Sequence, residues 1–128
     1  MTKTDDIAGA EPVLRHGWYW AEADGALVHT RHWPPRFDIS AEGTFPRVSS
    51  RKLAVAIRQD LWRKMKRLRG FSPVVTITHN DEFFSVRIGG RVGKAAVPES
   101  VQTMLEDLLT SPTHRAAWRK WAGRGGAA

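Results

Sequence analysis

The most regular stretch of the chain runs from Ser50 to Arg69, where Leu53, Ile57, Leu61, Met65 and Leu68 recur at helical spacing. At about 100° per residue these positions fall on one stripe, the mark of a helix that buries a single face. Ser49 or Ser50 can open it by accepting from an orphan backbone N–H, and Gly70 can close it in a left-handed conformation. A second helix is predicted from Pro98-Glu99, with apolar positions Val101, Met104, Leu105, Leu108 and Leu109. Ser111-Pro112 breaks and recaps it into a short basic helix that ends near Ala122, before Gly123.

Elsewhere the period is two. Arg15-His-Gly-Trp-Tyr-Trp20 and Ala26-Leu-Val-His-Thr-Arg-His-Trp33 flank an Asp24-Gly25 turn signal and read as a hairpin, stopped by Pro34-Pro35, which cannot donate to a ladder. Val74-Val-Thr-Ile-Thr78 and Phe83-Phe-Ser-Val-Arg-Ile88 around His79-Asn-Asp-Glu82 read as another. In its second strand Phe84, Val86 and Ile88 should face the core and Phe83, Ser85 and Arg87 a wetter side. Arg36 to Val48 reads as loop, with a short edge strand possible at Phe37 and Ile39, and Gly89, Gly90 and Gly93 as a flexible exit. The predicted order is β-β-α-β-β-α-α: an α+β, two-layer domain whose antiparallel sheet, built from two hairpins, packs one face against the helices. Residues 1–12 are expected as a flexible arm, 13–122 as one domain and 123–128 as a disordered tail.

Composition adds exclusions. In 128 residues there is no cysteine, which removes disulfides, thiolate nucleophiles and cysteine metal sites. The longest apolar run, Leu53 to Ile57, is far below the ~18 residues of a membrane span, and no apolar segment follows the polar start, so a cytoplasmic protein without a membrane span is expected.

Charge localises the question of function. The net +7 is unevenly spread: four basic face seven acidic residues up to Glu42, and sixteen face six from Gly43 onward. The first predicted helix alone carries eight cations, with Trp62 inside the cationic arc and off the apolar stripe. Arginines that grip phosphates in a bidentate fashion, beside an indole able to stack, form a surface suited to tracking nucleic acid. The plainer alternative is a solvated helix face, neutralised in part by the acidic first segment.

Trp118-Arg-Lys-Trp121 offers the same ingredients on the last helix, where two indoles three residues apart share a face and serve either burial or stacking. Gly89-Gly-Arg-Val-Gly-Lys94 invites comparison with a phosphate-binding P-loop, but the first glycine falls on Ile88 and Ala95 replaces the magnesium-binding hydroxyl, leaving only a glycine-rich bend with two cations. The ending around Gly90-Arg-Val-Gly-Lys94 is similar to that of a double-stranded-RNA-binding domain without the lysine run that opens its last helix, so no family is assigned.

The histidines and carboxylates do not assemble a catalytic or metal-binding pattern: His29 and His32 take opposite strand faces, and Asp81 and Glu82 diverge. No cofactor, metal or catalytic residue is assigned; a small nuclease using His79, His114 and the helix arginines is the enzyme alternative. The leading expectation is a non-enzymatic domain binding RNA or DNA through Arg58, Arg63, Lys66, Arg67, Arg69, Arg91, Lys94, Arg119 and Lys120, with Trp62 as stacker. The alternative is an adaptor that meets an acidic protein partner, or docks an exposed patch around Trp18, Trp20 and Trp33.

Overall fold

The computed structural model describes residues 11–93 and 97–123; the expected arm up to residue 10, Lys94 and the tail from Arg124 lie outside the described residues. Six antiparallel strands form one sheet: β1 (Val13–Arg15), β2 (Trp18–Ala23), β3 (Ala26–Thr30), β4 (Ile39–Pro46), β5 (Ser72–His79) and β6 (Phe83–Arg91), in the spatial order β1-β2-β3-β5-β6-β4. Three helices complete the fold, α1 (Ser50–Met65), α2 (Glu99–Thr110) and α3 (Pro112–Gly123). The α+β, two-layer expectation holds, but the order is β-β-β-β-α-β-β-α-α.

Local chemistry explains most of these elements. Ser49 caps α1 by accepting the Lys52 N–H at 3.3 Å. Leu53, Ile57, Leu61 and Met65 are buried as the stripe requires; after Met65 the chain turns, so Leu68 is only half-buried. Asp24 and Gly25 both have positive φ, 51° and 73°, giving the two-residue turn that matches strand twist and pairs Ala23 with Ala26. Asn80 closes the second hairpin with a backbone bond to Phe83 O at 2.9 Å, and Phe84, Val86 and Ile88 are buried.

Three sequence expectations are corrected. The predicted strand through Arg15–Trp20 is itself a hairpin, because His16 and Gly17 take φ of 52° and 82° and fold Arg15 onto Trp18. The predicted loop contains the eight-residue β4, paired with β6 along its whole length. Its inward positions are Ile39, Ala41, Gly43 and Phe45, of which only the two ends are large, too sparse an apolar pattern to announce a strand of this length, and Pro46 is tolerated at the end of an edge strand. Gly89 and Gly90 are not an exit from the sheet but lie inside β6, between β4 and β5. A Cβ would meet Ile39 O at Gly89 and Ser72 O at Gly90, each at 2.0 Å, so only glycine lets the neighbouring backbones approach there.

All three helices cover one face of the sheet, where Leu27, Phe45, Val75, Ile77, Phe84, Val86 and Ile88 meet the α1 stripe, the buried side of α2 and Trp118. Of the predicted apolar positions of α2, Met104 is exposed. The second face holds a smaller cluster of Ala21, Ala26, Val28 and Val74, packed by Trp33 and Phe37 from the segment between β3 and β4. The β4 edge is blunted by side chains: Gln102 Nε2 donates to Ser40 O at 2.9 Å and Arg115 Nη2 to Thr44 O at 2.8 Å. Among the described residues, no helix is long and apolar enough to cross a membrane.

Candidate nucleic-acid interface

Strand alternation and the Asp24–Gly25 turn together build the floor of a cleft. The turn pairs Trp20 with His29, so Trp18, Trp20 and His29 lie on the face that α1 covers. The helix runs over β3 and β5, leaving its flank of Arg51, Val55 and Arg58 facing the two indoles. Arg15, His16, Trp18, Trp20, Arg51, Val55 and Arg58 enclose a shallow cleft of about 570 Å³.

Its interior is a layered set of rings and guanidinium groups. The Arg58 guanidinium lies 4.3 Å from the Trp18 ring centroid and that of Arg31 5.2 Å from it. Arg51 lies 5.2 Å from the Trp20 centroid, and the His29 ring stacks on Trp20 at 3.8 Å. Each indole offers its negative π-face to a cation, which fixes the cation without neutralising it.

His29, 1% exposed, locks the arrangement. Its Nδ1–H donates to Tyr19 O at 3.2 Å, which leaves the Nε2 lone pair to accept from Arg58 Nη1 at 3.1 Å. Burial, reinforced by the charge of Arg58, lowers the His29 pKa to about 4, so the ring is neutral at pH 7 and serves as an acceptor. Arg58 itself is pushed below the usual arginine range, first by burial and then by Arg31, while remaining a cation. The countercharge is thin: Glu22 reaches Arg51 at 3.3 Å, and no carboxylate pairs with Arg58 among the described residues.

The opposite flank of α1 differs. Asp60 accepts from Arg63 at 2.9 Å through one oxygen and from Trp118 Nε1–H at 2.8 Å through the other. Trp118 is 1% exposed and docks α3, whereas Trp121 is 51% exposed, so the expected shared face of the two indoles is divided between core and solvent.

The sequence-predicted residues are thus dispersed. Arg58 belongs to the cleft, Trp62 follows it one turn later, and Arg63 is engaged on the α3 side. Lys66, Arg67 and Arg69 are exposed at the C-terminal end of α1, where Gly93 N–H donates to Arg69 O at 3.2 Å and brings the end of β6 alongside. Arg91 sits at that same end, near Asp38, whose carboxyl is held below its usual range by Arg36 and the Val92 N–H. Arg119 and Lys120 are exposed on α3, away from the cleft. Lys94 lies outside the described residues.

Sequence reasoning missed Arg15, Arg31, Arg51, Trp18, Trp20 and His29 as members of one site. The available signal was the two-residue turn, since counting outward from Asp24–Gly25 pairs Trp20 with His29. The topology also separates charge: Asp24 and the Asp81-Glu82 pair occupy turns at one end of the sheet, while Arg31, Arg91 and the end of α1 gather at the other.

Trp18, Trp20 and Trp33 do not form one patch, because Trp33 packs near Tyr19 (centroids 6.1 Å apart) on the second face of the sheet. Among the described residues, no group of three or more His, Asp or Glu side chains is placed to hold a metal ion. Compared with known proteins, the chain matches no family model, no curated protein and no solved structure.

Proposed function

We propose that this domain binds nucleic acid through its phosphates, with the cleft between β2 and α1 as the primary contact and the basic end of the sheet as its extension. The observation that carries the reading is the set of Arg31, Arg51 and Arg58 held against two indoles, with Glu22 as their one paired carboxylate among the described residues. Like charges held close repel one another, and an anion placed among them relieves that repulsion. A guanidinium already oriented by a ring and by His29 loses little further freedom on binding and presents a planar fork suited to a phosphate. Lys66, Arg67, Arg69 and Arg91 continue the positive surface beyond the reach of a single small anion, which favours a polyanion.

Titration of labelled DNA and RNA oligonucleotides at a series of salt concentrations tests this. Each neutralised phosphate adds about −0.7 (single strand) to −0.9 (duplex) to the log–log salt slope, so four contacts give a slope of about −3. Affinity weaker than about micromolar with no salt slope overturns the reading and leaves an acidic protein as the partner to seek.

A further inference from the structure

We infer that the nucleic acid is single-stranded, with an unpaired base stacked on Trp62 beside a phosphate held at Arg58; this rests on the nucleic-acid reading above. Stacking a base needs a free aromatic face. Trp18 and Trp20 do not offer one, because the first carries Arg31 and Arg58 and the second carries His29 and Arg51. Their role is to aim guanidinium groups.

Trp62 is different. It is 44% exposed, and its ring contact among the described residues is with Phe71, nearly parallel at 19° with centroids 6.5 Å apart. Phe71 is buried and meets the indole at an offset, so the contact on the protein side leaves a large part of the Trp62 ring open to solvent. Trp62 follows Arg58 by four residues, which puts the two side chains about 6 Å apart at Cβ on one flank of α1. Lys66 follows after four more.

A cation, an open indole and a second cation therefore succeed one another along one helical stripe, alternating charge and ring as a strand alternates phosphate and base. A duplex keeps its bases stacked on each other and cannot place one on this platform, whereas an unpaired base can. Because every base has a π-face, the platform is tolerant of sequence.

The test uses fluorescence anisotropy with a labelled single strand of mixed sequence and the duplex of the same length at one fixed salt concentration. A purely phosphate-driven surface favours the duplex for its higher charge density, so preference for the single strand is the informative sign. The expected result is tighter binding to the single strand, with Trp62→Ala losing about fivefold to a hundredfold on it. Trp62→Phe should retain most of the affinity, and duplex binding should be the same in all three proteins. Trp62→Ala should also leave the salt slope as it is, whereas Arg58→Ala should reduce it by about 0.7.

Duplex binding equal to or tighter than single-strand binding, with no effect of Trp62→Ala, overturns this inference and leaves nucleic-acid binding standing. Equal losses on both substrates in a Trp62→Ala protein with an unchanged thermal midpoint also overturn it. Absence of binding to either substrate at low salt overturns both.

Discussion

The two flanks of α1 carry the same ingredients to different ends. On one side Trp18 and Trp20 meet Arg51 and Arg58 in an open cleft; on the other the buried Trp118 meets Asp60 across the seam between α1 and α3, and Arg63 reaches the same carboxylate from solvent. The difference is one carboxylate. Asp60 accepts the Trp118 indole N–H through one oxygen and the exposed Arg63 guanidinium through the other, so the buried indole and the cation both find the same anion. Beside Arg58 the acceptor is instead the neutral His29, which orients the cation and leaves its charge uncompensated. Tryptophan and arginine in proximity are therefore not a binding signature in themselves; the charge of the third group decides whether the cation beside the ring is compensated.

The seam gives the largest expected effect. Trp118→Ala removes a fully buried indole and should destabilise the fold by about 3–5 kcal/mol, lowering the thermal midpoint in a circular-dichroism melt by roughly ten degrees or more. Trp118→Phe should cost less, about 1–2 kcal/mol, for the lost donor to Asp60. Trp18→Ala should cost less stability than Trp118→Ala, since its ring is half-buried, yet weaken nucleic-acid binding. A Trp18 variant as unstable as the Trp118 variant would erase the contrast.

Acid should expose the other flank. His29 has a folded pKa near 4, below the ~6.5 of an unfolded histidine, so the unfolded chain takes up the proton first. Its contribution to stability is fully present above about pH 6.5 and is lost as the pH falls towards 4. The loss is on the order of 3 kcal/mol at about 1.4 kcal/mol per pH unit. Urea titrations across that range should show it, and His29→Gln, which can still bond to Tyr19 and Arg58 but does not titrate, should flatten the dependence.

Binding should separate the flanks next. Arg58→Ala is expected to weaken nucleic-acid affinity about tenfold and shorten the salt slope, whereas Arg119→Ala, on the solvent side of α3, should change affinity by less than about twofold. Equal losses would relocate the interface towards α3. The smallest effect is expected from Glu22→Gln, which frees Arg51 from an exposed ion pair. Stability should move by less than about 0.5 kcal/mol, while affinity at low salt should rise a few-fold.

Much of the scaffold was legible before any coordinates. The stripe of α1, its Ser49 cap, the Asp24–Gly25 turn and the alternation of β6 are short-range patterns, each set by the residues that form it. The exposure of Trp62 followed from its position off the stripe. The legible part of the proposed interface was the basic helix itself, Arg58 included; its six neighbours around the cleft, from Arg15 through Arg51, were not recognised as one group. Strand β4 was obscured because Ser40, Glu42, Gly43 and Thr44 carry little apolar signal, and its pairing comes from β6, 37 to 51 residues away.

By itself, then, the sequence determined the buried face of α1 and of β6, the turns at Asp24–Gly25 and after β5, and that positive charge concentrates after Gly43. The tertiary structure decided which indole is sealed and which is offered, since Trp118 meets Asp60 across 58 positions and His29 meets Arg58 across 29. Local patterns depend on backbone geometry over a few residues, whereas the partner of a ring or a charge is chosen by packing between distant elements. That choice fixes the tautomer of His29 and, among the described residues, leaves Arg58 without a carboxylate partner while Arg51 keeps the exposed Glu22.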